Sequence, residues 1–258
     1  MRPFAATKAV GRRWRILAAT GICVASLGIA APANASCDPH SVDPGRVTTN
    51  NVYFDGWQVN GGSNTIGGVY SNIWNYDPYV DPATDYTYAW VMLTQHHSPG
   101  VDVPLAQVGW VKWSSGLRKT MVMIHSVGGP YSAAFTDTPK PINTYTYYQV
   151  LYNNTPGYVT FWVAGTKVFS WPNWFVPNEA QVYGETHSFR SQMPGGYQSS
   201  LYYEDFFNSN YWLGTWRPFA PNAQIFADDQ YGNTIANFGH TNPTTGANLS
   251  IWDRACAQ

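Results

Sequence analysis

The sequence has few charged residues, and none of its basic residues form a cluster outside the N-terminus. Only 11% of the 258 residues are Asp, Glu, Lys or Arg, and the formal net charge at pH 7 is −1. Binding to nucleic acid or to an anionic membrane surface depends on clustered Lys and Arg. The composition therefore argues against both of these partners.

The sequence also lacks an apolar run long enough to span a bilayer comfortably. The longest such run, at 16–30, has 15 residues, whereas a transmembrane helix needs about 20. It follows three arginines and precedes Ala-Asn-Ala at 33–35, an order typical of a secretory signal peptide with its cleavage site. We predict a signal peptide at 1–35 and a secreted mature chain at 36–258.

Cysteine is scarce, with three residues in the whole chain. Cys23 falls in the predicted signal peptide, which leaves Cys37 and Cys256 at opposite ends of the mature chain. An isolated cysteine pair in an exported protein favours a disulfide. We predict a Cys37–Cys256 disulfide, whose loop closure would stabilise the fold by about 4–5 kcal/mol, rather than a catalytic thiol.

No segment shows the 3.6-residue apolar period of an amphipathic helix. Instead, β-branched and aromatic runs alternate with turns rich in Gly, Pro, Asn and Asp, which is typical of an all-β antiparallel sandwich. We predict one such domain at 36–258, with an ordered surface loop at 129–144. The predicted strands are 47–59, 66–75, 86–95, 103–113, 118–125, 145–153, 158–170, 180–189, 200–207, 222–228, 231–239 and 247–253.

Aromatic residues are abundant, with 12 Trp and 18 Tyr. Many of them must fill the space between two sheets, but Trp and Tyr also line clefts that bind extended peptide or sugar chains. Composition alone does not distinguish these two uses, and both stay open.

Two predicted strands each carry one side chain with catalytic potential. The run LAQVGW at 105–110 contains Gln107, and the run AQVYGE at 180–185 contains Glu185. Since strand side chains alternate between faces, Gln107 shares a face with Gly109, where the missing side chain would leave room for a ligand. If the two strands are adjacent, an amide and a carboxyl group face each other across a groove and can activate a water molecule.

Other catalytic arrangements are not supported by the sequence. It contains no Gly-x-Ser-x-Gly string, which would mark a nucleophilic serine. His96 and His97 are neighbours on a strand end, so they point to opposite faces and are expected to be surface residues rather than ligands of one metal ion. We predict that the protein needs no metal and no cofactor.

At these residues the chain resembles the glutamic peptidases, meaning the fungal eqolisins and the plant neprosin-like group. In that family the first catalytic residue lies in a Gln/Glu-x-Gly string, as Gln107 does, and follows an Ala-Trp-Val segment, found here at 89–91. The second is a Glu five positions after an Ala that begins a strand, which corresponds to Glu185. The resemblance covers 86–190, and it departs at Thr186, where eqolisins have an acidic residue.

This resemblance implies a concanavalin-like (jelly-roll) sandwich and a specific reaction. Glu185 would take a proton from a water molecule that attacks a peptide carbonyl, and would return it to the leaving nitrogen. Gln107 would hold the water and donate its amide N–H to the oxyanion. Trp90, Trp110 and Tyr183 would shape the substrate cleft, and activity is expected at acid pH.

Three functions follow as alternatives. The first is a secreted, monomeric glutamic endopeptidase that acts on protein or peptide substrates. The second is a non-catalytic, lectin-like module that binds polysaccharide. The third is a glycoside hydrolase that uses Glu185 with Glu204. Glu204 is also an alternative acid for the peptidase. Glu179 and Glu185 are excluded as a glycosidase pair, because six residues along one strand span about 20 Å and paired carboxylates need about 5–10 Å.

Overall fold

Antiparallel β-strands make up almost all of the structure. The computed structural model describes residues 38–46, 51–83, 86–96, 101–136, 141–195, 205–229, 231, 233–242 and 248–256. Within these ranges the one helix is α1 (Pro39–Val42), and no helix there is long and apolar enough to cross a membrane. The strands are β1 (Tyr53–Asn60), β2 (Gly68–Trp74), β3 (Tyr86–Thr94), β4 (Leu105–Trp113), β5 (Arg118–His125), β6 (Ser132–Phe135), β7 (Tyr145–Thr155), β8 (Tyr158–Val163), β9 (Thr166–Pro172), β10 (Glu179–Thr186), β11 (Phe206–Trp212), β12 (Trp216–Pro218), β13 (Gln224–Phe226), β14 (Phe238–His240) and β15 (Ile251–Asp253).

These strands form two large sheets and one small one. The seven-stranded sheet has the order β13-β1-β10-β3-β4-β5-β6, and the six-stranded sheet has the order β12-β11-β2-β7-β8-β9. Strands β14 and β15 form a separate pair. All pairings are antiparallel, and the predicted antiparallel β-sandwich is confirmed.

The main hydrophobic core lies between the two large sheets. In β4 the inward-facing residues Ala106, Val108 and Trp110 are fully buried, and they alternate with residues that point to the opposite face of the sheet. Burial of large side chains from both sheets removes apolar area from water, which is the dominant favourable term in folding. The largest of these side chains are Trp57, Trp110, Tyr148, Phe161, Phe206, Phe219 and Phe238.

Several predicted elements differ in the structure. The strand predicted at 158–170 is two strands, β8 and β9, because Ala164 and Gly165 adopt φ values of 50° and 77° and form a tight turn. A two-residue hairpin turn with positive φ at both positions matches the twist of the flanking strands. The predicted loop at 129–144 contains strand β6, which pairs with β5.

Two predictions about the ends of the chain fall on residues outside the described ranges. The signal peptide at 1–35 lies outside them and stays a prediction. Cys37 also lies outside, whereas Cys256 is buried with 4% of its surface exposed. The Cys37–Cys256 disulfide therefore also stays a prediction.

Candidate active site

Gln107 and Glu185 lie on the same face of the seven-stranded sheet. Gln107 of β4 is directly opposite Met92 of β3, and Glu185 of β10 is directly opposite Tyr88 of β3. Residues opposite each other on antiparallel strands point to the same side, and Met92 and Tyr88 are an even number of residues apart. Both candidate side chains therefore point away from the six-stranded sheet, to what we call the outer face.

The two strands that carry these residues are not adjacent, contrary to the expectation from the sequence. Strand β3 lies between them and pairs with both. The register places Gln107 and Glu185 two strand spacings apart, about 10 Å, and four residues apart along the strands, about 13 Å. Their Cα atoms are thus about 16 Å apart, and any meeting of the two groups depends on their side chains.

The outer face is lined by a cluster of large side chains, separate from the main core. Its buried members come from β3, β4, β5 and β10, and Trp90 and Tyr183 stand opposite each other in the transverse row between Gln107 and Glu185. Both of these aromatic residues contact a candidate catalytic group. The cluster consists of Tyr88, Trp90, Met92, Val111, Met121 and Tyr183.

The orientation of the Gln107 side-chain amide is set by its neighbours. The Tyr183 hydroxyl donates a hydrogen bond of 3.0 Å to Gln107 Oε1. On the other side of the amide, Nε2 lies 3.4 Å from Met123 Sδ, a weak acceptor. Gln107 is 2% exposed, and its amide nitrogen points to this weak acceptor.

Glu185 is a buried carboxyl group in contact with Trp90 and His187. Trp90 Nε1 donates to Oε2 at 3.2 Å, and His187 Nε2 lies 3.3 Å from Oε1. Burial raises the pKa of Glu185 above its ordinary value, and the bonds to His187 and Trp90 partly oppose this effect. Glu185 therefore keeps its proton to a higher pH than an exposed glutamate does, as a group that both accepts and returns a proton requires.

The tyrosines near Glu185 remain protonated donors over the whole physiological range. Burial, with a contribution from the charge of Glu185, raises the pKa values of Tyr88 and Tyr183. Burial also raises the pKa of Tyr131, assisted by the charges of Asp102 and Glu185. The Tyr183 hydroxyl can therefore act as a fixed hydrogen-bond donor to Gln107 without competing titration.

The raised pKa of Glu185 predicts how Glu185→Gln changes stability with pH. The native state binds this proton more tightly than the unfolded chain, in which the value is near 4.5. The free energy of unfolding of the wild type therefore falls as pH rises from about 4.5 through the native pKa, and the glutamine variant lacks this loss. Urea denaturation at pH 4, 5, 6 and 7 should show the variant gaining stability relative to the wild type as pH rises; a constant difference would contradict the burial of Glu185.

Trp110 does not line the cleft, so this assignment from the sequence is wrong. It follows Gly109 in β4 and so points to the opposite, inner face, where it is fully buried in the main core. Its indole Nε1 donates to the carbonyl oxygen of Trp74 at 3.1 Å, and the Arg118 guanidinium lies 5.8 Å from its ring centroid. Trp90 and Tyr183, the other two residues assigned to the cleft, do lie on the outer face.

Gly109 has a different role from the one expected. A Cβ atom at this position would collide with the carbonyl oxygen of Ala89 on the neighbouring strand. Close approach of the β3 backbone therefore requires the glycine, and no space for a ligand is left there. Gly56 on β1 lies in the same transverse row and is constrained in the same way by Val182 and Tyr183.

Other polar groups on the outer face make contacts that the sequence did not predict. Glu179, at the start of β10, is 1% exposed, and its carboxylate binds His96 Nδ1 at 2.6 Å and accepts a hydrogen bond from Gln181 Nε2. The alternation of side chains along β10 indicates that Glu179 and Gln181 share the face of Glu185. His96 lies beyond the end of β3, where alternation no longer predicts a direction.

A His–Asp pair occupies the β5 side of the same face. His125 Nε2 contacts Asp102 Oδ1, and the second carboxylate oxygen of Asp102 accepts the N–H of Gly128. The Tyr131 ring stacks on the His125 imidazole with 4.0 Å between centroids. Tyr131 falls in the segment that the sequence indicates as a loop, and this stack holds its ring on the outer face beside His125.

Within the described ranges, no group of three or more His, Cys, Asp and Glu side chains could hold a metal ion. The alternative acid Glu204 lies outside these ranges, as does His97. Glu204 therefore stays a prediction, both as a rival to Glu185 and as its partner in a glycosidase pair.

Comparison with known proteins supports the fold. No protein-family model matches the sequence, and no curated protein does.

A crystal structure of scytalido-glutamic peptidase with a transition-state analogue inhibitor matches with a TM-score of 0.54 and 12% identity, over 78% of this chain and 98% of that chain. A second structure of this peptidase, with a peptide-based analogue, has a TM-score of 0.51, the same identity and the same coverage. A family 16 endo-glucanase from Bacteroides ovatus has a TM-score of 0.36 and 9% identity, over 52% of this chain and 65% of that chain. The resemblance to the glutamic peptidases that the motifs indicate thus holds for the fold.

Proposed function

We propose that the protein is a secreted glutamic endopeptidase that cleaves peptide bonds with Gln107 and Glu185. One observation carries this proposal: both side chains lie on the outer face of the seven-stranded sheet, and each is held by an aromatic residue from the row between them. Tyr183 holds the amide and Trp90 holds the carboxyl group. The fold shared with scytalido-glutamic peptidase supports it.

The proposed reaction uses no group beyond these side chains and water. The Glu185 carboxylate removes a proton from a water molecule, whose oxygen forms a bond to the peptide carbonyl carbon. The Gln107 amide donates a hydrogen bond to the oxyanion as charge develops on it. The C–N bond then breaks while the proton passes from Glu185 to the leaving nitrogen, which leaves the free acid and amine products and regenerates the carboxylate.

The buried state of Glu185 determines the expected pH profile. The carboxylate is the base that removes a proton from water, and its pKa is raised by burial. The value of kcat/KM should therefore increase as pH rises through that raised pKa. Return of the proton to the amine favours an acidic medium. Together these requirements give an optimum in the acid range, with a limb on the acid side that reports Glu185.

Digestion of unfolded casein from pH 2 to 7 tests the proposal. We expect cleavage that EDTA and serine- or cysteine-directed reagents do not inhibit, and incorporation of one ¹⁸O atom from labelled water into each new carboxyl group. Mass spectrometry of the products measures both. Absence of cleavage at every pH by pure, correctly processed protein would contradict the proposal.

Carbohydrate binding is a second candidate function, favoured by an aromatic patch on the other sheet. Trp212 and Trp216 are 38% and 36% exposed, and their ring centroids are 5.4 Å apart. Tyr70 lies 4.8 Å from Trp216 and 5.3 Å from Tyr147. Exposed aromatic rings of this kind can stack on sugars; retarded migration in polysaccharide gels without any proteolysis would favour this function over the peptidase.

A further inference from the structure

Four glutamines form one transverse row across the outer face of the seven-stranded sheet. Gln107 of β4 and Gln181 of β10 both stand opposite Met92 of the intervening strand β3. Gln181 is also opposite Gln58 of β1, which in turn is opposite Gln224 of β13. We call these four residues the glutamine row; it leads from the proposed catalytic amide to the β13 edge of the sheet.

Exposure increases along the row towards this edge. Gln107 and Gln181 are 2% and 1% exposed, Gln58 is half-buried and Gln224 is exposed. The row therefore begins in solvent at Gln224 and ends among buried groups beside the proposed catalytic amide.

Gln181 has an unused hydrogen-bond acceptor at the inner end of the row. Its Nε2 donates to the Glu179 carboxylate, which fixes the orientation of the amide. Its Oε1 is buried, and among the described residues no donor reaches it. A buried acceptor without a partner costs free energy, so a ligand N–H at this position would satisfy a group that the fold leaves unpaired.

We propose that the glutamine row binds the main chain of an extended peptide on one side of the bond that is cleaved. This inference rests on the proposed function and names its substrate as an unfolded or extended polypeptide. A primary amide offers one donor and one acceptor function, as the peptide group itself does. The row carries no charge, so it selects for an extended backbone rather than for particular side chains.

The spacing of the row gives the length of peptide that it can bind. Gln58 is three strand spacings from Gln107, about 14 Å, and Gln224 is four spacings away, about 19 Å. An extended peptide rises about 3.3 Å per residue. Contact with Gln58 therefore requires about four residues beyond the reaction centre, and contact with Gln224 requires about six.

Two series of synthetic peptides with one common cleavage site test the inference. One series is lengthened from two to seven residues on the N-terminal side of the cleaved bond, and the other on the C-terminal side. We expect kcat/KM to rise with length in one series only, up to about six residues. Gln58→Ala should lower kcat/KM for the longest peptides of that series by about 3- to 10-fold, the effect of one hydrogen bond, and leave the two-residue peptide unchanged.

Gln149→Ala is the matched control, because Gln149 is half-buried on β7 of the six-stranded sheet. It should leave all peptides unaffected. Equal loss for short and long peptides in Gln58→Ala, or no length dependence in the wild type, would overturn the inference while the proposed function stands. Competition by a soluble polysaccharide that is lost in Gln58→Ala would also overturn it.

Peptide binding to Glu185→Gln, measured by calorimetry, separates the inference from catalysis. Affinity should increase with peptide length and should fall by the same 3- to 10-fold when Gln58→Ala is added. This result supports the row even if the wild type cleaves nothing, which would overturn the proposed function alone. Length-independent affinity would overturn the row.

Discussion

Glu185→Gln should reduce kcat for peptide hydrolysis by about 10²- to 10⁴-fold, the range of general acid–base catalysis. The substitution removes the proton acceptor and keeps the size of the side chain. The oxygen of the new amide can still accept the hydrogen bond from Trp90 Nε1, which lies 3.2 Å from the Glu185 carboxylate. The loss should therefore appear in kcat, with little change in the affinity for peptide. Steady-state kinetics on a peptide at the optimal pH of the wild type measure it.

Glu204→Gln is the matched control for this experiment, since Glu204 is the alternative acid suggested by the sequence. We expect it to retain activity within a small factor of the wild type. Urea denaturation of Glu185→Gln at the assay pH separates a loss of catalysis from a loss of folded protein. Full activity in Glu185→Gln together with loss in Glu204→Gln would identify Glu204 as the catalytic acid.

Trp110→Ala should destabilise the fold by about 3–5 kcal/mol, the usual cost of removing a large buried aromatic side chain. Trp110 is fully buried between the sheets, and its loss also leaves the carbonyl oxygen of Trp74 without its indole donor. A typical domain has a free energy of unfolding of only about 5–15 kcal/mol. The variant should therefore unfold at a much lower urea concentration than the wild type.

Two further variants serve as controls for this result. Trp171→Ala removes an indole that is 42% exposed on β9, and we expect a change within about 0.5 kcal/mol. Trp110→Phe keeps most of the buried volume and should stay folded and active. A large loss of kcat/KM in Trp110→Phe, with unchanged stability, would instead indicate that Trp110 lines the substrate cleft.

The direction of strand side chains could be predicted from the sequence, but the order of the strands could not. Alternation along β4 places Gln107 and Trp110 on opposite faces, and alternation along β10 places Tyr183 and Glu185 on one face. It carries no information about which strands pair, so the position of β3 between β4 and β10 needed the structure. The constraint on Gly109 has the same origin, because it comes from the backbone of Ala89 on another strand.

Short and exposed strands were the least predictable elements. Strand β6 has the sequence Ser-Ala-Ala-Phe, which lacks β-branched residues, and most of it is exposed. Its strand conformation comes from pairing with β5 rather than from its own residues. Similarly, the hydrogen bonds of His96 to Glu179 and of Asp102 to His125 join residues of different segments, and no local pattern predicts them.

The position of β10 between β1 and β3 also affects when the sheet can form during synthesis. This strand pairs with β1, which begins at Tyr53, and with β3, so its neighbours are synthesised long before its last residue, Thr186. Sheets built from partners so distant along the chain fold slowly, since the closure of long loops precedes the contacts that reward it. A growing polypeptide that ends before β10 contains Gln107 but not Glu185. It therefore lacks the proposed peptidase activity until β10 has been synthesised.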